Sequence, residues 1–220
     1  KTHVPHPLKK KIAKELHCDY FISGILDFSS DNIGLTTKLY NANNGKQIAE
    51  NILQNPNYFN LIDSCSIHFR EAMGIPESHI EMIENTSFSD IVTKSIDTYK
   101  DYINGIILRE YENNYNKACD LFKSATTNDP TCSLANFSYF LTVFLSGNEE
   151  FKKNGSDAIN SALVHIYKLP DRLAYIVKYN NYLFEKGKPD QALKVVQMWK
   201  KQYPESIEPY IELAQLYMRV

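Results

Sequence analysis

Six histidines and four cysteines are the residues of this sequence best suited to hold a metal or attack a substrate, and their spacing argues against both. His3, His6, His17, His68, His79 and His165 are never spaced as a metal pair on a helix, and Cys18, Cys65, Cys119 and Cys132 lie far apart with no C-x-x-C pair. The cysteines read as small buried side chains in a reducing compartment. Glu77, His79 and Glu81 form an E-x-H-x-E cluster that reads as a solvated loop or helix face, and His165 reads as a structural histidine. Asp63, Asp90, Glu110 and Glu112 are dispersed over helix faces, so no two are set up as an acid and a base. The chain has no G-x-S-x-G elbow and no phosphate-binding glycine loop. No catalytic residue, metal or cofactor is expected within these residues, and enzyme activity would belong to a domain outside them.

What remains is a framework able to bind. With 220 residues and 43% hydrophobic content the chain can bury a sizeable core, as one large domain or two small ones. Lys+Arg 24 against Asp+Glu 26 leaves a net charge of -2, which supplies no global field for nucleic acid or an anionic membrane. The 15 tyrosines and 11 phenylalanines lack interleaved Arg and Lys, so they read as core rather than as a base-stacking platform. No apolar run approaches the roughly 20 residues that span a bilayer, so no membrane contact is expected within the chain. A cytoplasmic location is the expectation. Both ends read as cuts from a longer polypeptide, and an export signal or anchor would lie upstream of Lys1.

The two halves differ in period. "LKKKIAKELH" (8–17) places Leu8, Ile12, Ala13 and Leu16 on one helical face, and three β-rich runs follow at 19–28, 33–41 and 46–54. The turn sequences "SSDN" and "NANNG" between them favour hairpins. A second helix is expected over 57–75, with Gly74 at its end and Pro76 beyond. The N-terminal part, 1–86, is therefore α+β: helix, three-stranded antiparallel meander, helix.

Over 87–220 the period is helical throughout, and prolines recur at a fixed distance from small residues. Ala118 to Pro130, Ala158 to Pro170 and Ala192 to Pro204 are each separated by 12 residues, and Pro170 to Pro204 by 34. Thirty-four residues is the length of a tetratricopeptide repeat, whose small residues admit a partner helix and whose proline ends the second helix. Phe122 and Ala125, Ala162, and Val196 occupy further repeat offsets. An all-α solenoid of this kind is expected, with units near 99–130, 131–170 and 171–204 and a partial unit over 205–220. "GNEEFKKNG" (147–155) reads as a lengthened inter-helix loop, and Tyr210, Leu213, Ala214 and Tyr217 read as the packing positions of the last helix. In such arrays the first helices line a groove, and that offset points to Asn104, Ile107, Tyr111, Lys178, Asn181, Glu185 and Gln215.

"IAKELHCDYFISGIL", "LTTKLYNANNGKQIAE" and "YFNLIDSCSIHFREAMGI" together resemble the amino-terminal domain of TolB-type proteins, through an A-x-x-L-x-x-D-Y-x-x-x-G motif, a strand ending and a following helix. Cys65 and His68 depart from the helix formers usual in that family, and its first strand and helix would lie before Lys1. That domain accompanies tetratricopeptide arrays in bacterial adenylate cyclases, receptor-type serine/threonine kinases and transcription activators. The resemblance implies a non-catalytic regulatory and protein-interaction module of a larger bacterial signalling protein, its effector outside this chain. A protein or peptide is the expected partner, a second copy of the chain a further one, and nucleic acid is not expected. The alternatives are a small-molecule-sensing domain, or the C-terminal part of a kinase or cyclase.

Overall fold

The asparagine-rich hairpin of the N-terminal half shows how local chemistry sets the sheet. Asn41 Oδ1 accepts from the backbone N–H groups of Asn43 and Asn44 at 2.9 and 3.1 Å, and Gly45 takes a positive φ of 77°. These constraints turn the chain back on itself. The computed structural model describes residues 4–28, 32–76 and 87–219, so most of the SSDN turn and the E-x-H-x-E cluster lie outside the described residues. The chain divides into two compact units, 1–88 and 89–220.

In the first unit, α1 (His6–Glu15) precedes β1 (Tyr20–Phe28), β2 (Ile33–Asn41) and β3 (Gln47–Asn55), and α2 (Tyr58–Ala72) follows. The sheet is antiparallel in the order β1-β2-β3. Asn57 caps α2, its side chain accepting from Phe59 N–H at 2.9 Å, and Gly74 ends the helix with φ 75°. This α+β arrangement follows the sequence expectation element by element. The register alternates faces: Leu39 lies opposite Ile22 and Ala49, while Lys38 lies opposite Ser23 and Glu50 and pairs with the Glu50 carboxylate at 3.2 Å. Helix α2 packs on β3 and β2, and Leu39 of the sheet and Phe59, Leu61 and Phe69 of the helix are buried. On the opposite face the His6 ring lies tilted against Tyr40 and Phe21, 4.7 and 5.5 Å between centroids, and Lys9 donates to Ser23 Oγ at 2.5 Å. Cys18 is exposed, contrary to the expectation of a buried thiol, because it follows the left-handed turn at His17 where the chain leaves α1.

The second unit opens with a single helical turn, Phe88–Ile91 continuing into it, and then runs through seven helices: α3 (Ile96–Glu110), α4 (Tyr115–Asn128), α5 (Ser133–Ser146), α6 (Glu149–Val164), α7 (Asp171–Asn180), α8 (Pro189–Gln202) and α9 (Glu208–Arg219). A 3₁₀ turn, Ile166–Lys168, follows α6, and α7 runs on into a π-helical turn, Asn181–Glu185. Short connections fold α3 on α4, α5 on α6 and α7 on α8. Side-chain pairs show each partner running in the opposite direction: Asp101 accepts from Ser124 and Tyr102 meets Phe122 in the first pair, and Ser133 donates to Ala162 O while Gly155 faces Val143 in the second. The alternate helices also touch. Arg109 of α3 donates to Ser138 O and Thr142 Oγ1 of α5, both at 3.3 Å. Phe137 and Phe140 of α5 cluster with Val177 of α7, and Tyr179 of α7 clusters with Leu216 of α9. Among the described residues no helix is long and apolar enough to cross a membrane.

Three details differ from the sequence expectation. "GNEEFKKNG" is not a long loop: Gly147, with φ 62°, ends α5, and α6 begins two residues later at Glu149. A left-handed glycine stops one helix without needing a loop, and Glu149, Lys152 and Lys153 are exposed at the start of the next. The extra length of that segment goes instead into a longer α6 and the 3₁₀ turn after it. Finally, α9 buries Leu216 with Leu213 beside it, while Tyr217 is 64% exposed and Ala214 is exposed. The helix starts at Glu208, after a turn at residues 204–205.

Gly105 lies where α3 crosses α4, and a Cβ added there would fall 2.7 Å from the Phe122 ring, itself fully buried. Gly105→Ala is expected to destabilise the second unit by about 1–3 kcal/mol, read as a lower urea midpoint; an unchanged midpoint would show that the two helices do not meet there. Asp129 gives a pH dependence. Burial alone would raise its pKa, but hydrogen bonds from Thr93 and Thr131 outweigh that and hold the carboxyl below its usual value. A depressed folded-state value stabilises the fold above the ordinary carboxylate pKa of about 4 and loses that contribution as pH falls through the folded value. The stability gap between the wild type and Asp129→Asn should therefore narrow between pH 7 and pH 3, as measured by urea denaturation.

Candidate functional site

The residues with chemical potential are placed as structural groups. Burial pushes the thiols of Cys119 and Cys132 up to about 11, so neither is a thiolate nucleophile at neutral pH. Cys132 instead caps α5, its sulfur accepting from Ala135 N–H at 3.4 Å. His165 Nδ1 lies 3.0 Å from Ser161 O, and His68 lies 3.9 Å from Glu71 on an exposed face. Asp63 accepts from Phe88 N–H at 2.8 Å, Asp90 pairs with Lys94, and Glu110 pairs with Arg109. Among the described residues no group of three or more His, Cys, Asp or Glu side chains could hold a metal ion.

The groove candidates separate into three kinds. Asn104, Ile107 and Tyr111 of α3 and its cap are exposed and share one helical face, with Tyr111 80% exposed. Lys178 is exposed, its ammonium 6.0 Å over the Tyr175 ring, and Gln215 is exposed on α9. Asn181 is different: the structure buries it to 6% exposure, so it is not a groove-facing partner of Lys178. The spacing of three residues suggested one face, but α7 is covered on two sides. Val177 joins the cluster with α5 and α6, Tyr179 joins the one with α8 and α9, and little of the helix end is left for solvent. The π-helical turn that begins at Asn181 widens the helix and carries the following residues out of the α-helical phase.

That turn brings Glu185, the remaining candidate, to the rim of a pocket of about 400 Å³. Its apolar wall is Phe140, Val143 and Phe144 from α5 and Phe184 from the π turn, with the Phe144 and Phe184 ring centroids 4.6 Å apart and tilted by 48°. Its polar rim comes from Glu149, Lys152 and Ser156 of α6. Ser156 Oγ donates to Glu185 at 3.1 Å, and Lys152 pairs with Glu149 at 2.5 Å. Gly155 makes the closeness of α5 and α6 possible, since an added Cβ would come within 3.1 Å of Val143. The phenylalanines of this pocket are not among the sequence-derived site residues. The signal that could have found them is the run of aromatics along α5, which continues past the buried Phe137 and Phe140 to Phe144, 55% exposed. The pocket can hold an apolar or cationic group while its carboxylates and hydroxyl fix orientation.

No family model matches this sequence, and no curated protein matches it.

The two neighbouring candidates on α7 should respond oppositely to substitution. Lys178→Ala is expected to leave the unfolding free energy within about 0.5 kcal/mol of wild type, whereas Asn181→Asp, which buries a charge, should cost more than about 2 kcal/mol. Equal effects in thermal unfolding would place both residues in the same environment and contradict the burial of Asn181.

Proposed function

We propose that this chain is a non-catalytic protein-interaction module built from tetratricopeptide-like helix pairs, and that it binds an extended peptide or a short helix of a protein partner along its first helices. The observation that carries the reading is the match between sequence offset and packing: Ala118, Ala158 and Ala192, each 12 residues before a proline, are all buried to 5% exposure or less. Small residues at those positions admit a partner helix, which is the role they have in stacked helical repeats. Contact between α3 and α5, α5 and α7, and α7 and α9 is what stacking of successive units requires. The exposed face of Asn104, Ile107 and Tyr111 on α3, together with Lys178 on α7, supplies alternating polar and apolar contacts for a peptide backbone and side chains.

The resemblance of the first unit's sequence to TolB-type domains supports placing the module in the regulatory part of a larger bacterial signalling protein, with the effector outside this chain. In that setting the bound peptide would bias the effector's output. The net charge of -2 favours a protein partner over nucleic acid.

Selection of a random peptide-display library on the immobilised chain tests this reading. Enriched peptides should bind in solution with Kd values on the order of micromolar, and the pair Ile107→Asp and Lys178→Glu should weaken them with no change in melting temperature. Failure to enrich any sequence family over repeated rounds would overturn it.

A further inference from the structure

The pocket between α5, α6 and the π turn has a chemical asymmetry that selects its occupant. Its rim carries two carboxylates, Glu149 and Glu185, and one ammonium, Lys152. Lys152 lies 2.5 Å from Glu149, so that pair is neutral as a unit. Glu185 accepts from the Ser156 hydroxyl at 3.1 Å and, among the described residues, forms no ion pair. One negative charge is thus left uncompensated beside a wall of three phenyl rings, Phe140, Phe144 and Phe184.

We propose that this pocket holds the basic side chain of a bound peptide, lysine or arginine, with the cation at Glu185 and the aliphatic stem against the phenylalanines. The inference rests on the peptide-binding reading above and names the class of residue the peptide must present. The faces of aromatic rings carry negative quadrupole density and attract cations. The methylene stems of lysine and arginine cover apolar surface while their heads stay with polar partners. The 400 Å³ volume accommodates such a stem and head. Other side chains fit less well. An acidic group would face the Glu185 carboxylate, and a neutral aliphatic group would strip water from that carboxylate without replacing its hydrogen bonds. Phe144, 55% exposed, provides ring surface that a ligand stem can cover.

The π turn is what makes the arrangement. Phe184 and Glu185 are adjacent in sequence, and both line the pocket, one as a wall and the other as the charged rim. In this turn Lys186 N–H reaches back to Asn181 O at 2.9 Å, a five-residue step in place of the usual four.

The isotope-labelled 220-residue chain is titrated with four pentapeptides, Ac-Ala-Ala-X-Ala-Ala-NH2 with X as arginine, lysine, norleucine or glutamate, and followed by amide chemical shifts. The arginine and lysine peptides should shift Gly147, Gly155 and Phe184, and their binding should weaken at least about threefold between low and moderate salt. The norleucine and glutamate peptides should bind at least about tenfold more weakly. Glu185→Gln, which keeps an acceptor for Ser156, should lower the affinity for the basic peptides about tenfold. Phe144→Leu, which keeps apolar area but removes the ring face, should lower it about fivefold. Equal binding of norleucine and lysine, or full affinity in Glu185→Gln with wild-type melting, would overturn the assignment. Library peptides that bind while no basic pentapeptide shifts these amides would sink this inference and leave the peptide-binding reading intact. Basic pentapeptides that bind here although no library peptide is ever enriched would sink that reading and leave the preference of this pocket for a basic side chain standing.

Discussion

Close approach of helices at residues with little or no side chain is the constraint on which the second unit depends. Ala118, Ala158 and Ala192 are buried at the crossings of successive pairs, and Gly105 and Gly155 let Phe122 and Val143 come nearer still. Where one partner is small, the other can be large: Phe122 is fully buried against Gly105, and Trp199 is buried on α8 with its ring parallel to Tyr175 of α7, 6.3 Å between centroids. Close packing of this kind fixes helix separation, because neither a wider spacing nor a larger residue preserves the contacts. Once the separations are fixed, the faces left over for solvent follow, and with them the positions of every exposed candidate.

Burial on two sides is the next consequence. Helix α7 contributes Val177 to one cluster and Tyr179 to another, so its inward surface is far wider than a single amphipathic stripe. A helix in the middle of a stack has little outward face, and a polar residue in its last turn, Asn181, becomes buried. The π-helical turn then carries Phe184 and Glu185 to the pocket beside α5 and α6. Packing and pocket are therefore two results of one geometry.

The sequence was most legible where local chemistry decides the outcome. Asn41 and Gly45 mark the β2–β3 hairpin, Asn57 and Gly74 bracket α2, and the three strands fall within a residue or two of their expected limits because alternation and turn residues agree. Pro130 and Pro204 follow the ends of α4 and α8 by two residues, where their missing N–H cannot continue the ladder, whereas Pro170 stands at the start of α7. Legibility failed where the deciding contact comes from elsewhere in the chain. Two glycines and a run of charges made 147–155 look like a loop, although a single left-handed glycine suffices to separate α5 from α6. Asn181 looked solvated because the cover on its second side is supplied by α8 and α9. Phe144 and Phe184 are 40 residues apart, and nothing local announces that a π turn will bring their rings together.

The first unit poses a different balance. Its sheet buries one face under α2, but on the other face α1 reaches only the end where His6 meets Phe21 and Tyr40. Further along that face Ile25 and Ile52, each opposite Thr36, are 67% and 73% exposed. Among the described residues of this unit, two helices cover one side of the sheet and one end of the other, and the remaining exposed side retains its apolar residues. Polar residues would be expected at those positions on a sheet built to face water. The isoleucines are β-branched and keep the strands extended, so they serve the backbone even where they gain nothing from burial. The meander is thus held by hairpin chemistry and by α2, while the second unit is held by helix contacts and by hydrogen bonds in the connections, such as those to Asp129.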